Sequence, residues 1–303
     1  MLDVDPALFR QAFAHRPMAV AHTLTDHPLL RLDALAELAD ALPPKDVERH
    51  DAHLPLVVPG GAPNLAGRPS ESVLGIEDNG QWMVLWYIEQ VPEYKALLDE
   101  VLSDAESHIA AHDRADGDLA MSPRRREAFL FLSAPDAVTP IHFDPEQNFL
   151  LQVRGVKDMN TCPFTDSEAA RHAVERYYDG GHRNLADVPG GETTTFRMQP
   201  GEGVYVPPFH PHWVRNGPRA SISLSITFRT RASEQFERVH QMNARLRRMH
   251  LSPKPPGVSA RDDRAKEAAH LLLSRSRRLL QRRSALRPSR ALRTSGTTAR
   301  RAA

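Results

Sequence analysis

The sequence of 303 residues contains a single cysteine, Cys162. An intrachain disulfide is therefore impossible, and a zinc site built from several cysteines is excluded. Such scarcity of cysteine is typical of proteins from a reducing compartment, so it predicts a cytoplasmic location. We expect Cys162, which stands directly before a proline, to be a small core residue rather than a nucleophile.

Long apolar segments are also missing. No apolar run approaches the roughly 20 residues that a helix needs to cross a bilayer. Residues 1–5 include two aspartates, whereas a secretory signal begins basic and continues apolar. We therefore expect neither a transmembrane segment nor a secretory signal. The content of 41% hydrophobic and 25% charged residues is typical of a globular chain.

Two common catalytic signatures are absent as well. The sequence has no Gly-x-Ser-x-Gly segment, which would mark a serine hydrolase. It also has no glycine-rich phosphate loop ahead of a helix, which would mark a nucleotide-binding protein. These two functional classes therefore have no support.

The net charge of +1 conceals an uneven distribution. Residues 261–303 contain twelve arginines and one lysine but only three acidic residues, so this end carries +10 and the remainder −9. A helical pattern over residues 260–283 carries five leucines, which we expect to dock on the chain's own domain or across a homodimer interface. The alternatives, which we do not favour, are arginines that bind nucleic acid or an anionic membrane surface. The leucines are Leu271, Leu272, Leu273, Leu279 and Leu280.

Short apolar segments separated by glycine and proline dominate the middle of the chain. Candidate strands cover residues 128–133, 149–153, 193–198, 203–206 and 221–229, and the last alternates strictly between apolar and polar residues. Such a series predicts an antiparallel sandwich or barrel. We therefore predict a core over residues 128–230, preceded by a helical and mixed segment over residues 1–127 that packs on it. A helical region over 231–283 and a disordered basic tail over 284–303 would follow.

One pair of residues suggests a metal site. His142 and Asp144 form the only His-x-Asp or His-x-Glu pair in the sequence, and on a strand both would point to the same side. Two imidazoles and one carboxylate can hold iron(II) while leaving three coordination positions open. Residues 200–214 supply a turn, an apolar strand, a proline turn and then a histidine, so His210 and His212 both qualify as the third ligand. The alternative is that His142 and Asp144 are an ordinary surface pair.

Residues 139–157, TPIHFDPEQNFLLQVRGVK, resemble the central motif of the cupin-like JmjC hydroxylases, the group that includes the asparaginyl hydroxylase of the hypoxia-inducible factor. Together with residues 200–214, the resemblance covers roughly residues 128–230. It implies a mainly β protein with a double-stranded β-helix core and helical additions. It also implies that His142, Asp144 and His212 are the catalytic Fe(II) ligands. The activity implied is hydroxylation by O2 with 2-oxoglutarate as cosubstrate, on a substrate that the sequence does not identify.

The same resemblance assigns the binding of 2-oxoglutarate. It implies that Lys157 pairs with the distal carboxylate and that Thr139 and Asn148 assist. Burying a lysine is costly unless an anion pairs with it. The alternatives are a solvated Lys157 at a strand end and turn or cap roles for the other two. Two departures from the group are Asp158, directly after the lysine, and Thr227, where the asparaginyl hydroxylase has an asparagine.

Two other functions fit these residues. The chain could be another cupin metalloenzyme, such as an isomerase or a dioxygenase without a cosubstrate, and His210 as a further metal ligand would favour that reading. It could also be a non-catalytic binding or regulatory protein that retains the fold, which would suit the basic tail.

Overall fold

Two antiparallel β-sheets pack face to face in the computed structural model, which describes residues 1–52, 55–57, 65–110 and 123–285. The described strands are β1 (Leu2–Asp3), β2 (Met18–His22), β3 (Val47–Asp51), β4 (Gln81–Leu85), β5 (Arg124–Ser133), β6 (Val138–His142), β7 (Gln147–Arg154), β8 (Lys157–Thr161), β9 (Thr194–Met198), β10 (Glu202–Val206), β11 (His212–Asn216) and β12 (Ser221–Arg229). The described α-helices are α1 (Pro6–Ala12), α2 (Leu32–Ala41), α3 (Pro69–Leu74), α4 (Pro92–Ala110), α5 (Ser167–Tyr178), α6 (Arg231–Arg248) and α7 (Ala260–Ala285).

The strand order is that of a jelly roll. The larger sheet runs β1-β2-β10-β7-β12-β5-β4-β3 and the smaller runs β6-β11-β8-β9. Strands β5 to β12 are thus shared between the two sheets, with β5, β7, β10 and β12 in one and β6, β8, β9 and β11 in the other. The predicted double-stranded β-helix core is confirmed, and strands β1 to β4 extend the larger sheet at both edges.

The larger sheet is buried on both faces. Along β12, Ile222, Leu224, Ile226 and Phe228 join the main hydrophobic core, which the N-terminal helices cover. Burying each such side chain stabilises the fold by about 1.5–3 kcal/mol. The alternate residues of β12 are polar, and two of them, Ser225 and Thr227, line the cavity between the sheets; every residue of the strand is buried. The alternation along β12 therefore distinguishes a face in the main hydrophobic core from a face toward the smaller sheet, and neither face is exposed to solvent.

A smaller apolar cluster joins the two sheets. It comprises Leu150, Met159, Met198, Val204, Val206 and Val214. Three of these residues, Leu150, Met159 and Val214, also line a cavity between the sheets. The cluster therefore closes one side of the cavity and leaves polar side chains to line the rest.

The turn from β7 to β8 depends on a glycine. Gly155 has a φ of +74°, and a Cβ atom there would lie 2.4 Å from the carbonyl oxygen of Ala220. Only glycine tolerates both the left-handed conformation and this close approach. The turn carries the chain from the larger sheet to the smaller one and places Lys157 at the start of β8.

The C-terminal helices pack on each other mainly through polar contacts. Helix α6 begins with a capping box formed by Thr230 and Ser233. In α7, Lys266 is buried and its Nζ donates to the carbonyl oxygen of Lys254 at 2.7 Å. Arg238 of α6 forms an ion pair with Glu267 at 2.7 Å. Among the described residues, no helix has the length and apolarity needed to cross a membrane.

Three leucines of α7 remain largely exposed on the described chain: Leu271, Leu272 and Leu273 are 39%, 64% and 46% exposed. Successive residues of a helix are about 100° apart, so three consecutive leucines spread over an arc wider than α6, the helix that packs on α7, can cover. Of the two predicted locations for these three residues, docking on their own domain is therefore wrong, and a dimer interface stays a prediction. The side chains of Leu279 and Leu280, and the tail from residue 286 onward, lie outside the described part of the structure.

Candidate metal centre

His142 and His212 lie directly opposite each other on neighbouring strands. His142 ends β6 and His212 begins β11, and the two are paired in the antiparallel register. Side chains at such paired positions lie close together on the same face, and the two imidazole rings are 4.3 Å apart between centroids. The strand pairing thus brings together two residues that are far apart in the sequence.

Asp144 completes the cluster. The Nε2 atom of His142 lies 3.9 Å from its Oδ1, and the Nε2 atom of His212 lies 3.6 Å from its Oδ2. The three residues are buried, and one potential ligand atom from each lies within 4.8 Å of the others. The alternative of a surface pair is therefore wrong.

Backbone hydrogen bonds orient both imidazoles. Nδ1 of His142 lies 2.8 Å from the carbonyl oxygen of Pro140, and Nδ1 of His212 lies 2.9 Å from that of His210. A carbonyl only accepts, so each Nδ1 carries the proton and each Nε2 keeps its lone pair. Burial lowers the pKa of both imidazoles, and neutral imidazole is the form that binds metals.

His210 and His212 have different positions relative to the cluster. His210 does not belong to the cluster and is not among the residues that line the cavity. Its backbone carbonyl instead supports the ring of His212. The neighbouring Phe209, with a φ of +60°, donates its amide to the carbonyl oxygen of Asp144 at 2.7 Å. This turn therefore fixes the backbone of the carboxylate relative to β11.

Two donors hold the carboxylate of Asp144. Nη1 of Arg183 donates to Oδ1 at 2.7 Å, and Nδ2 of Asn148 donates to Oδ2 at 3.2 Å. Burial alone would raise the pKa of Asp144, but the charge of Arg183, supported by the hydrogen bond from Asn148, lowers it below its usual value. The group is therefore an ionised carboxylate, as a metal ligand must be. Arg183 belongs to no sequence motif and was not predicted to be part of the site.

The cluster suits a divalent transition metal. Two neutral imidazole nitrogens and one carboxylate oxygen converge from one side, and the donor set is the one that non-haem iron(II) sites use. The other side opens into the cavity of about 370 Å³, which leaves space for further ligands. The residues present therefore fit the metal that the sequence predicts.

Three residues predicted to bind the cosubstrate also line this cavity: Lys157, Thr139 and Asn148. Asn148 bonds to Asp144 and accepts a hydrogen bond from Ser225 at 2.8 Å. Neither Thr139 nor Asn148 is a turn or cap residue, because Thr139 lies within β6 and Asn148 within β7.

Lys157 is a buried cation without a counter-charge. The residue is only 3% exposed, and among the described residues its Nζ atom has no hydrogen-bond or ion-pair partner. Burial lowers its pKa to about 7. Asp158 does not compete for it, since that carboxylate lies 3.6 Å from Arg197 instead. The alternative of a solvated lysine at a strand end is therefore wrong.

The remaining cavity wall is aromatic and acidic. The rings of Trp86 and Tyr87 lie 4.9 Å and 5.5 Å from that of Phe129, and Glu127 and Glu146 also line the cavity. Burial raises the pKa of both carboxyls. This wall was not predicted, because the predicted strand began at residue 128, whereas β5 begins earlier and places Glu127 on the same face as Phe129.

Fold and site together define a double-stranded β-helix protein with a buried cluster of two histidines and one aspartate. No protein-family model matches the chain, and no curated protein does. Among solved structures, an X-ray structure of YcfD from E. coli is 17% identical with a TM-score of 0.52, over 90% of this chain and 68% of that one. A second structure is described as YcfD, a ribosomal oxygenase from Escherichia coli, in complex with cobalt and 2-oxoglutarate. It is 16% identical with a TM-score of 0.50, over 90% of this chain and 67% of that one.

At these identities the likeness shows the fold. The chain spans about two thirds of the length of YcfD, so YcfD has substantial sequence without a counterpart here. The shared fold confirms the architecture that the motif around His142 predicts, including the helical additions to a jelly-roll core.

We expect the buried Lys157 to lower the free energy of unfolding of the metal-free protein, compared with an uncharged residue at the same position. The unfolded chain takes up the lysine proton below its ordinary pKa of 10.5, and the folded chain does so only below about 7. Stability from this group therefore falls as pH drops from about 10.5 to 7. We expect Lys157→Met to raise the free energy of unfolding at pH 7 by at least about 1 kcal/mol, with a smaller gain at pH 9. Urea denaturation at the two pH values measures this.

The exposed Lys45 offers a matched control, because Lys45→Met removes the same charge without changing a buried site. A Lys157→Met protein that is less stable than wild type at both pH values would show that the lysine has a stabilising partner.

Proposed function

We propose that this protein is an Fe(II)- and 2-oxoglutarate-dependent oxygenase that hydroxylates its substrate. The observation that carries the proposal is the unpaired Lys157, buried in the same cavity as the His142, Asp144 and His212 cluster. A buried cation of this kind is costly unless an anion pairs with it. A dicarboxylate that binds a metal at one end and the lysine at the other satisfies both groups.

In this proposal, one set of residues binds the metal and another binds the cosubstrate. His142, Asp144 and His212 hold iron(II) on one face, and Lys157 binds the distal carboxylate of 2-oxoglutarate with Thr139 beside it. When bound, iron(II) would activate O2, which is the oxidant, at the expense of 2-oxoglutarate: one oxygen atom would end in succinate with release of CO2, and the other would enter the substrate.

The cavity wall supplies the rest of the environment. Phe131, Leu150 and Met159 line the space between the sheets with apolar surface, which excludes water and strengthens the pairing of Lys157 with an anion. The aromatic and acidic residues of the opposite wall would contact the substrate, which is either a protein side chain or a small molecule. Iron(II) persists best in a reducing compartment, so the proposal includes a cytoplasmic location.

The solved complex of YcfD with cobalt and 2-oxoglutarate supports this proposal, since that protein shares the fold. The rival of another cupin metalloenzyme loses its main support, because His210 lies outside the cluster.

Loss of Asp144 should abolish metal binding. Asp144→Ala and His212→Ala each remove one of three ligands, so we expect neither variant to bind iron(II) stoichiometrically under anaerobic conditions. His210→Ala should still bind one iron(II) per chain, because its side chain is outside the cluster. Anaerobic calorimetry measures the stoichiometry. A protein that keeps its metal without Asp144, or loses it only with His210, would contradict the ligand assignment.

Loss of Lys157 should weaken cosubstrate binding without affecting the metal. A charge-assisted bond in a sheltered site is worth about 1.5–3 kcal/mol, so Lys157→Met should reduce the 2-oxoglutarate affinity of the iron-loaded protein by at least about ten-fold. The visible charge-transfer band of the iron complex reports this titration. Because this variant should be more stable than wild type, a loss of binding would not reflect unfolding. Equal affinities of variant and wild type would rule out Lys157 as the anchor.

We also propose that the exposed leucines of α7 pair two copies of the chain. Leu271, Leu272 and Leu273 form exposed apolar surface on a helix rich in charged residues, and burial against a second copy would remove this surface from water. Light scattering should give the mass of a dimer for wild type and of a monomer for the triple leucine-to-glutamine variant. The exposed Leu74 of α3 serves as control, as Leu74→Gln should leave a dimer intact.

A monomeric wild type would contradict the dimer. The arginines of the basic tail would then favour nucleic acid or an anionic membrane surface as the partner of this end of the chain.

A further inference from the structure

Arg183 belongs to the segment that joins α5 to β9, and backbone pairing holds this segment beside β6. His142 and Asn184 form an antiparallel bridge, and the amide of Leu185 donates to the carbonyl oxygen of Ile141 at 3.0 Å. The side chain of Leu185 is buried against Ile141. The backbone at Arg183 is therefore fixed next to the strand that carries the first histidine.

Two contacts fix the side chain as well. Nη1 lies 2.7 Å from Oδ1 of Asp144. The guanidinium carbon lies 5.7 Å from the centroid of the Trp86 ring, which is a cation–π distance. A planar guanidinium held on two sides loses little freedom when it bonds. These two contacts therefore hold the guanidinium of Arg183 in one orientation, with Nη1 directed at the carboxylate of Asp144.

This placement is unexpected on electrostatic grounds. A guanidinium and a divalent metal repel each other when both lie beside the same carboxylate. A bond that stabilised only the metal-free protein would oppose metal binding. We therefore expect Arg183 to have a favourable effect on the metal-bound site that offsets this repulsion.

The two oxygens of Asp144 are held differently. Oδ1 receives its bond from the charged guanidinium of Arg183 at 2.7 Å, whereas Oδ2 receives a longer bond from the uncharged amide of Asn148 at 3.2 Å and lies 3.6 Å from Nε2 of His212. A short bond between two ions holds a carboxylate oxygen more strongly than a longer bond from an uncharged donor. The oxygen that is easier to free for a metal is therefore Oδ2.

We propose that Arg183 is a positioning residue that keeps Oδ1 of Asp144 away from the metal, so that the carboxylate binds through Oδ2 alone. This inference rests on the proposed function, which needs three open metal positions for a chelating cosubstrate and O2. A carboxylate that chelated through both oxygens would occupy one of these positions. Arg183 thereby preserves the position that the cosubstrate needs.

Three variants test this role. Arg183→Met removes the charge and the donors, and Arg183→Lys keeps a charge and a donor but not the planar fork. Arg215→Met is the control, because Arg215 is an exposed residue on β11 of the same sheet. The first measurement is the visible absorption spectrum of the cobalt(II)-loaded protein without cosubstrate. The second is the affinity of the anaerobic iron(II)-loaded protein for 2-oxoglutarate.

We expect Arg183→Met to bind one metal ion but to show an altered cobalt spectrum, because an additional carboxylate oxygen joins the metal. Its 2-oxoglutarate affinity should fall about 10- to 100-fold, the usual effect of losing a group that orients a metal ligand. Arg183→Lys should lie between Arg183→Met and wild type, and Arg215→Met should match wild type in both measurements.

A cobalt spectrum of Arg183→Met that superimposes on that of wild type would overturn the proposal, even if cosubstrate affinity falls, since Arg183 would then act on the cosubstrate itself. Loss of metal from both Arg183 variants would overturn it too, by making the arginine necessary for the ligand set. If wild type binds cobalt(II) but not 2-oxoglutarate, the proposed function fails, and the cobalt spectra still decide the role of Arg183.

Discussion

The pairing of β6 with β11 is the constraint on which the site depends. It places His142 opposite His212, and a shift of one residue would turn one of the two imidazoles to the other face of the sheet. The register changes directly after His212, between that residue and Val214. Such an irregularity re-aims neighbouring side chains. The smaller sheet is therefore built around one cross-strand pair, and the turn before β11 couples the same pair to Asp144.

Burial of charge is the second feature of the site. Lys157, Asp144 and Arg183 are all charged groups in or beside one cavity, and only the last two pair with each other. The apolar cluster and the N-terminal helices supply the stability that permits an uncompensated cation in the interior. Proteins commonly give up stability in this way at functional sites.

The larger sheet can carry charged and polar groups in the interior because its two faces are packed differently. The helices α1, α2 and α4 contribute residues to the main core on one face. The opposite face can then carry small polar side chains, such as Ser225 and Thr227, without leaving the sheet poorly packed. The departure at Thr227 from the asparaginyl hydroxylase falls on this cavity face, so it alters the lining of the site rather than the core.

Local patterns in the sequence predicted an antiparallel sandwich or barrel with a metal site: alternation along strands, glycine and proline at turns, and one His-x-Asp pair. The double-stranded β-helix and the ligand set of His142, Asp144 and His212 followed from the resemblance to the JmjC hydroxylases. Spacing alone left His210 and His212 undecided, and the cross-strand register separates them. The sequence indicated nothing about Arg183, and it did not show that Lys157 lacks a partner among the described residues. The position of Arg183 depends on which segment lies beside β6. The lack of a partner for Lys157 depends on which charged side chains reach the cavity. Both are contacts between residues far apart in the sequence, and they form only when the two sheets pack.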